Sequence, residues 1–204
     1  MKLFSFWRSL ATYRVRIALN LKGLVPDEVV DVNLIKGAQR EAAYRAVNPM
    51  MALPALIDRS CSSSWRSSNI LTRRIRTRRC CRATPGAARV CGGLAQIVAC
   101  DSHPLIVPRV REYLEHEFKL DEPTRTKWCQ HWHTAALTAL EAHLKDATGR
   151  YCHGDAITLA DICLASQAAG AKSGANARLA GWSAGPRFGS SCAHHTYQAL
   201  SGET

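Results

Sequence analysis

Three residues with the chemistry to bind an anion stand where a predicted strand gives way to a predicted helix: Arg8, Ser9 and Thr12. The first turn of a helix offers backbone N–H groups without intrahelical partners and the positive end of the helix dipole. That setting lowers the pKa of a thiol, whether protein-borne or ligand-borne. Ser9 or Thr12 can donate a hydrogen bond to such a thiolate, and Arg8 can hold a carboxylate. Either hydroxyl equally fits a simple helix N-cap.

Two further candidates lie in the second half of the chain. Arg109 offers a guanidinium fork of the kind that grips carboxylates, while a single histidine such as His103 is more often structural than catalytic. Cys129 and His133 are four residues apart on a predicted helix, but no further ligand pair at zinc spacing accompanies them. The sequence therefore predicts no metal site.

The secondary structure predicted to position these residues differs between the two halves of the chain. The first 58 residues alternate short apolar runs with helical patterns, which predicts a small α/β domain. Gly23 follows the first helix as a C-terminal signal. The predicted strands are Lys2–Trp7, Glu28–Val32 and Leu53–Ile57, and the predicted helices are Tyr13–Leu21 and Gln39–Val47.

From about Leu94 onward the pattern is helical throughout. Thr158 and Asp161 form a capping box, in which the carboxylate reaches back to the start of the helix. An α/β half followed by an all-helical half indicates two domains. The predicted helices of this half are Val110–Phe118, Trp128–Leu144 and Thr158–Gln167.

The composition is that of an ordinary globular protein. The chain has 204 residues, of which 47% are hydrophobic and 21% charged. No apolar run reaches the length that spans a bilayer, and Arg8 interrupts the N-terminal run before a signal sequence can form. Nine cysteines without a secretory signal predict reduced thiols and a cytoplasmic location.

The net charge of +11 is concentrated in one segment. Residues 59–91 contain nine arginines and no acidic residue, and without them the remaining charge would be +2. Three interpretations remain open: a disordered arginine-rich linker, an RNA-binding arm, or a shifted reading frame. For Trp65–Arg76, one permitted codon choice read one base out of phase gives Leu-Ala-Ile-Ile-Glu-Tyr-Leu-Asp-Glu-Thr-His-Pro, which has the pattern of an amphipathic helix.

Five blocks, in this order, give the sequence a family resemblance. They read SFWRSLATYRVRIALNLKG, VNLIKGAQ, NPMMALPAL, CDSHPL and TGRYCHGDAITLADICLASQ. Together they resemble the zeta-class glutathione transferases, a family of maleylacetoacetate and maleylpyruvate isomerases. The resemblance covers residues 1–58 and about 92–170, roughly two thirds of the chain.

The resemblance implies the glutathione transferase fold. This is an α/β thioredoxin-like domain, here 1–82 with the aberrant segment 59–91, followed by an all-α domain at 92–204. It also implies glutathione as cofactor, a small dicarboxylic enol-diketo acid as substrate, and a homodimer without membrane or nucleic-acid partners.

Site residues follow by position in the matched motifs. Ser9 falls where the family has its catalytic serine, and Leu53 precedes the position of a cis-proline, Pro54, whose preceding backbone pairs with glutathione. Gln39, or alternatively Arg40, matches a glutathione-contacting glutamine. The resemblance places His103 and Arg109 on the side of the site that faces the ligands.

The sequence departs from the family pattern at several of these positions. The Ser and Cys that usually follow the catalytic serine are Leu10 and Ala11 here. The family's Gln-Ser pair, which grips the γ-glutamyl group, is replaced by serine-rich residues 60–64, and its Asn-Asn stretch by Ile106–Pro108. Beyond Gln167 the helical periodicity fades over Ser173–Thr204.

The implied reaction is the isomerisation of a cis enol-diketo acid to its trans form in the catabolism of aromatic compounds. In it the thiolate adds to the double bond, the adduct rotates, and the thiolate leaves. Two alternatives stay open on sequence alone. One is a general glutathione transferase that conjugates or dehalogenates small acids. The other is an inactive remnant whose basic linker binds nucleic acid.

The frame-shift interpretation makes a direct prediction. The coding DNA across residues 59–91, read one base out of phase, is expected to encode a segment with acidic residues and helical periodicity. Sequencing that DNA checks it, and the coding region for residues 1–58 serves as the in-frame control. A displaced frame without such a segment would leave the linker and the RNA-binding arm as the remaining interpretations.

Overall fold

The computed structural model describes residues 1–57, 85–145 and 149–172. The chain forms two compact units, residues 1–79 and 80–204. Most of the arginine-rich segment lies outside the described residues, so its three interpretations stay open. The exact boundary between the predicted domains falls in the same region and remains a prediction.

Unit 1 is built on a three-stranded sheet with the order β2–β1–β3. The central strand β1 (Lys2–Ser5) runs parallel to β2 (Glu28–Asp31) and antiparallel to β3 (Ala55–Ile57). Helix α1 (Leu10–Leu21) connects the two parallel strands. This arrangement confirms the predicted N-terminal domain, which is α/β and thioredoxin-like.

Burial explains why these segments take these forms. Leu3 and Leu56, directly opposite each other on β1 and β3, are almost completely buried, whereas β2 at the sheet edge leaves Val29 exposed. Helix α1 buries Val15 and Leu19 along one face. It ends as predicted at Gly23, whose φ of +64° favours glycine.

The predicted helix Gln39–Val47 is divided in two. A 3₁₀ turn spans Ala38–Arg40, and α2 spans Ala42–Val47. Glu41 between them is extended, with φ −65° and ψ 147°. The chain thereby turns before α2 begins, so the apolar spacing over this stretch overstated the length of the helix.

All regular secondary structure in the described residues of unit 2 is helical, as predicted. Helix α3 begins at Pro85, so residues 85–91 belong to a helix and not to an aperiodic segment. Proline suits a first helical turn, and Cys91 is completely buried. The elements are α3 (Pro85–Gln96), a π-helical segment (Ile97–Ser102), α4 (His103–Ile106), α5 (Pro108–His116), α6 (Glu122–Leu144) and α7 (Leu159–Lys172).

The core of unit 2 forms where α3, α6 and α7 meet. Leu94 and Val98 pack in one cluster with Leu137, Leu140 and Leu164. The longer helical stretch Gly86–His116 is long and apolar enough, by length and composition alone, to cross a membrane, which the sequence did not predict. Leu94, Ala95 and Val98 of this stretch pack in the cluster, and 28% of its apolar window is buried.

A buried carboxylate organises the start of α7. Asp161 is 1% exposed and accepts hydrogen bonds from the backbone N–H of Thr158 at 2.7 Å and the Thr158 hydroxyl at 2.6 Å. It also accepts from the N–H of Cys152 at 2.8 Å, which ties the preceding turn to the helix. That turn requires Gly149, because a Cβ there would lie 2.6 Å from the Gly154 backbone. The predicted reach of the carboxylate back to Thr158 is confirmed.

Replacing Asp161 with alanine is expected to lower the free energy of unfolding by about 2–4 kcal/mol, since it removes the acceptor for buried donors. The matched control is Asp121→Ala. Asp121 caps α6 at an exposed position, where it accepts from the N–H of Thr124 at 3.0 Å. Loss of this exposed cap is expected to cost clearly less, because its partners can bind water instead. Urea denaturation followed by circular dichroism measures both, and equal losses would contradict the role given to Asp161.

A second buried polar group joins three elements of unit 2. The side-chain amide of Gln167 on α7 donates to Ser102 Oγ at 2.7 Å and contacts His133 Nδ1 on α6 at 2.9 Å. Ser102 in turn donates to the carbonyl of Trp132 at 3.1 Å. Burial lowers the pKa of His133 to about 4, so the imidazole is neutral near pH 7 and its Nδ1 can accept from the amide.

The free energy of unfolding is expected to fall as the pH drops from 6.5 to about 4. The folded pKa of His133 lies below the unfolded value of 6.5, so the unfolded chain binds the proton first. The loss from this group is about 3 kcal/mol at most, fully present only below pH 4. His133→Asn should flatten the pH dependence in that window. His131→Asn, an exposed histidine on the same helix, should not. Parallel curves for the wild type and His133→Asn would exclude this origin.

Candidate functional site

The register of the sheet brings three chain segments to one edge. Ser5 at the carboxyl end of β1 is paired with Asp31 at the carboxyl end of β2, and Phe4 lies opposite Ala55 at the start of β3. The chain that leaves β1 carries Ser9, the chain that leaves β2 carries Gln39, and the chain that enters β3 carries Leu53. We call this edge, with Arg8, Ser9, Gln39, Leu53 and Pro54, the candidate site.

Ser9 is the N-cap of α1, as one of the two sequence interpretations predicted. Its Oγ accepts from the N–H of Thr12 at 3.2 Å, and its own N–H donates to the Phe6 carbonyl at 3.0 Å. A hydroxyl has one donor hydrogen in addition to its acceptor lone pairs. Because the cap uses only a lone pair, the hydrogen of Ser9 can still be donated to an anion.

The first turn of α1 adds to the positive character of this edge. The backbone N–H groups of Leu10 and Ala11 have no acceptor within the helix, as at every helix start. No acidic residue stands in the first turn to offset them. The partial positive charge of the helix end therefore acts on whatever binds next to Ser9.

Thr12 is buried in the first turn of α1. The residue is 1% exposed, and its Oγ1 is buried without a hydrogen-bond partner among the described residues. Thr12 lies on the face of α1 that carries Val15 and Leu19, as the spacing of 12, 15 and 19 indicated. Its predicted contact with a ligand stays a prediction.

Gln39 lies in the 3₁₀ turn and is 9% exposed, whereas the alternative, Arg40, is exposed. The Oε1 of Gln39 is buried and has no hydrogen-bond partner among the described residues. A buried acceptor without a donor is unfavourable in the unliganded protein. A ligand amide or ammonium group would supply the missing donor, which favours Gln39 over Arg40.

The Leu53–Pro54 peptide bond is cis, as the resemblance implied. The loop before it is held by two donors that share one carbonyl: Tyr44 Oη and Asn48 Nδ2 each lie 2.7 Å from the Ala52 oxygen. Tyr44 packs edge-to-face on Phe4 with ring centroids 5.5 Å apart. We call the two hydrogen bonds from Tyr44 and Asn48 to the Ala52 oxygen the brace. The sequence did not predict it, although Asn48 begins the NPMMALPAL block and Tyr44 lies four residues before it.

Burial keeps the Tyr44 brace intact at ordinary pH. It raises the pKa of the Tyr44 hydroxyl to about 12, against a partial opposing effect of its hydrogen bond with Asn48. The hydroxyl therefore remains a protonated donor wherever the protein is folded near neutrality. Tyr44 bonds to the Ala52 oxygen and packs on Phe4, so it sets the position of the adjoining Leu53 relative to β1.

The three other predicted residues lie where the chain is accessible. Arg8 is exposed, and its guanidinium carbon lies 5.5 Å from the centroid of the Trp7 ring. In unit 2, His103 is the first residue of α4 and is half-buried, and Arg109 is exposed as the second residue of α5. The serine-rich residues 60–64 lie outside the described residues.

The described residues contain no group of three or more potential metal ligands. Cys129 is buried, which raises the pKa of its thiol, and His133 is engaged with Gln167. The five described cysteines, Cys91, Cys100, Cys129, Cys152 and Cys163, are free thiols.

Comparisons with known proteins identify the family of the chain. The family model described as "Glutathione S-transferase, N-terminal domain" matches residues 8–73. The chain is 40% identical over 177 residues to the maleylpyruvate isomerase of a Ralstonia species, covering 84% of this chain and 82% of that protein. It is 36% identical over 172 residues to the maleylacetoacetate isomerase of Pseudomonas aeruginosa, covering 82% and 79%.

Solved structures show the same similarity. The holo structure of a bacterial zeta-class maleylpyruvate isomerase superposes with a TM-score of 0.81 at 35% identity, covering 100% of this chain and 93% of that one. A maleylacetoacetate isomerase from Methylobacterium extorquens, solved with bound malonate and glutathione, gives a TM-score of 0.79 at 39% identity, covering 84% and 82%.

Proposed function

We propose that this chain, which belongs to the zeta-class glutathione transferase and maleylacetoacetate isomerase family, isomerises maleylacetoacetate or maleylpyruvate with glutathione. The identity of 40% to a maleylpyruvate isomerase over most of both chains carries this proposal. The geometry supports it, because Ser9 at a helix start and the cis Leu53–Pro54 bond belong to segments that meet at one edge of the sheet.

The candidate site suits the groups of glutathione, a thiol-bearing tripeptide. Ser9 and the first turn of α1 suit a thiolate, because both present donors and positive partial charge. The buried Oε1 of Gln39 lacks a donor, which a peptide ligand can supply. Leu53, in a half-buried segment at the start of β3, offers its backbone to a peptide.

When bound, glutathione supplies a thiolate that adds reversibly to the cis double bond and so permits rotation about it. Ser9 donates its hydroxyl hydrogen to the sulfur and, with the helix dipole, favours the thiolate over the thiol. Arg8 holds a substrate carboxylate, because a guanidinium binds a carboxylate through two parallel hydrogen bonds. The same chemistry makes Arg109 of unit 2 a candidate for binding a substrate carboxylate, and the family resemblance gives His103 a place among the ligand-lining residues of unit 2.

The side chains of Leu10 and Ala11 cannot assist in this mechanism. Neither side chain offers a hydroxyl or thiol, so neither can add a hydrogen bond to the thiolate. Stabilisation of the negative sulfur then rests on the Ser9 hydroxyl and on backbone N–H groups. The catalytic effect of Ser9 is therefore expected to be larger than where several hydroxyl groups share the task.

We further propose that the protein acts as a cytoplasmic homodimer in the catabolism of aromatic compounds. Free cysteines are typical of a reducing compartment. We propose no membrane partner, because Leu94, Ala95 and Val98 of the helical stretch 86–116 pack in the unit 2 cluster. We propose no nucleic-acid partner either, because the net charge outside residues 59–91 is only +2.

The first test is isomerisation of maleylpyruvate by the purified, mass-verified chain with and without glutathione, followed by the loss of substrate absorbance. We expect turnover only with glutathione. A folded chain that neither turns over maleylpyruvate nor maleylacetoacetate would contradict the proposal. RNA binding that falls steeply with salt, in such an inactive chain, would instead identify the basic remnant.

Ser9→Gly is expected to reduce kcat/KM by about 10- to 100-fold, since a hydrogen bond to a charged group is worth roughly 1.5–3 kcal/mol. Glycine is a tolerated N-cap, so the stability of α1 should change by only a few tenths of a kcal/mol. Steady-state kinetics and the pKa of the bound glutathione thiol, followed by thiolate absorbance, measure the effect.

Ser9→Thr is the matched control, because it keeps both the cap and the hydroxyl. It should retain most of the activity and the low thiol pKa. Full activity and an unchanged thiol pKa in Ser9→Gly, which keeps a helix cap but lacks the hydroxyl, would show that Ser9 serves only as a helix cap.

A further inference from the structure

Trp7 is unusually exposed for a tryptophan at the end of a central strand. Its side chain is 73% exposed, whereas the preceding Phe6 is 4% exposed. A large aromatic ring left in solvent gains no stability from burial. The fold of unit 1 therefore gives no account of why an indole stands at this position.

The ring of Trp7 has two neighbours. The ring of buried Phe6 lies 6.1 Å away, centroid to centroid, with a tilt of 54°. The guanidinium carbon of Arg8 lies 5.5 Å from the indole centroid. We call Phe6, Trp7 and Arg8, joined by these two contacts, the stack.

The stack stands directly beside the candidate thiol position. The backbone turn from β1 to α1 is closed by the hydrogen bond from the Ser9 N–H to the Phe6 carbonyl, at 3.0 Å. Trp7 and Arg8 are the two residues inside that turn. Within the described residues, Arg8 has no carboxylate partner, so its N–H groups are available to an anionic ligand.

We infer that Trp7 is a positioning residue, whose indole face holds the Arg8 guanidinium in place to bind a carboxylate of the dicarboxylic substrate. This inference rests on the proposed function for its substrate class. An exposed arginine otherwise samples many rotamers, and fixing them costs free energy when the ligand binds. A cation–π contact reduces that cost beforehand, and it leaves the edge of the planar guanidinium free for two hydrogen bonds.

The test compares Trp7→Leu and Trp7→Phe in the full chain, each with Arg8 intact and with Arg8→Gln. Two quantities are measured: KM for maleylpyruvate at saturating glutathione, and the Kd of malonate by calorimetry in the presence of glutathione. Val25→Ala is the matched control. Val25 is 83% exposed and precedes β2, at the opposite edge of the sheet.

With Arg8 intact, Trp7→Leu is expected to raise KM and the malonate Kd about two- to fivefold, the range of an exposed cation–π contact. Trp7→Phe, which keeps an aromatic face, should restore most of the affinity. In the Arg8→Gln background Trp7→Leu should have no further effect, because the indole acts through the guanidinium. KM for glutathione, kcat and the unfolding midpoint should stay within error, as they should for Val25→Ala.

An equal effect of Trp7→Leu in both Arg8 backgrounds, or no effect in either, would overturn the inference. So would a loss in Trp7→Phe as large as in Trp7→Leu. The malonate measurement separates this outcome from failure of the proposed function. A chain that binds malonate through coupled Trp7 and Arg8 but isomerises nothing would keep the inference and reject the isomerase.

Discussion

The pairing of β1 with its two neighbours is the constraint on which the rest of unit 1 depends. Because β1 is parallel to β2 and antiparallel to β3, the ends of the first two strands and the start of the third come to the same edge. Residues that are far apart in the sequence, such as Ser9 and Leu53, are thereby carried to that edge. A slip of one residue in the register would turn Leu3 and Leu56 away from the core, so burial maintains the arrangement of the site.

The same hydroxyl serves two purposes at this edge. Ser9 stabilises α1 by accepting from the N–H of Thr12, and in the proposed reaction it donates to a thiolate. The two bonds use different parts of the group and do not compete. They do reinforce each other, because the capped helix presents its unpartnered N–H groups in the direction from which an anion binds.

Structural features set by neighbouring residues in the sequence could be predicted, whereas features that depend on tertiary contacts could not. The strands, α1 with its end at Gly23, and the capping role of Asp161 follow from local apolar spacing and from residue preferences at helix ends. The family motifs supplied Ser9, Gln39 and the cis-proline. The break at Glu41 depends on how the turn packs, so spacing alone did not predict it.

The brace on the Ala52 carbonyl gives the loop before β3 an unusual dynamic character. Two side chains donate to one oxygen, and one of them, Tyr44, is itself packed on the central strand. Opening of this loop from its exposed residues, Met50 and Met51, breaks both hydrogen bonds to the Ala52 oxygen and frees Tyr44, whose ring packs on Phe4 of β1. We therefore expect the loop and β1 to open together, so that backbone amide exchange in the loop reports on the stability of the sheet.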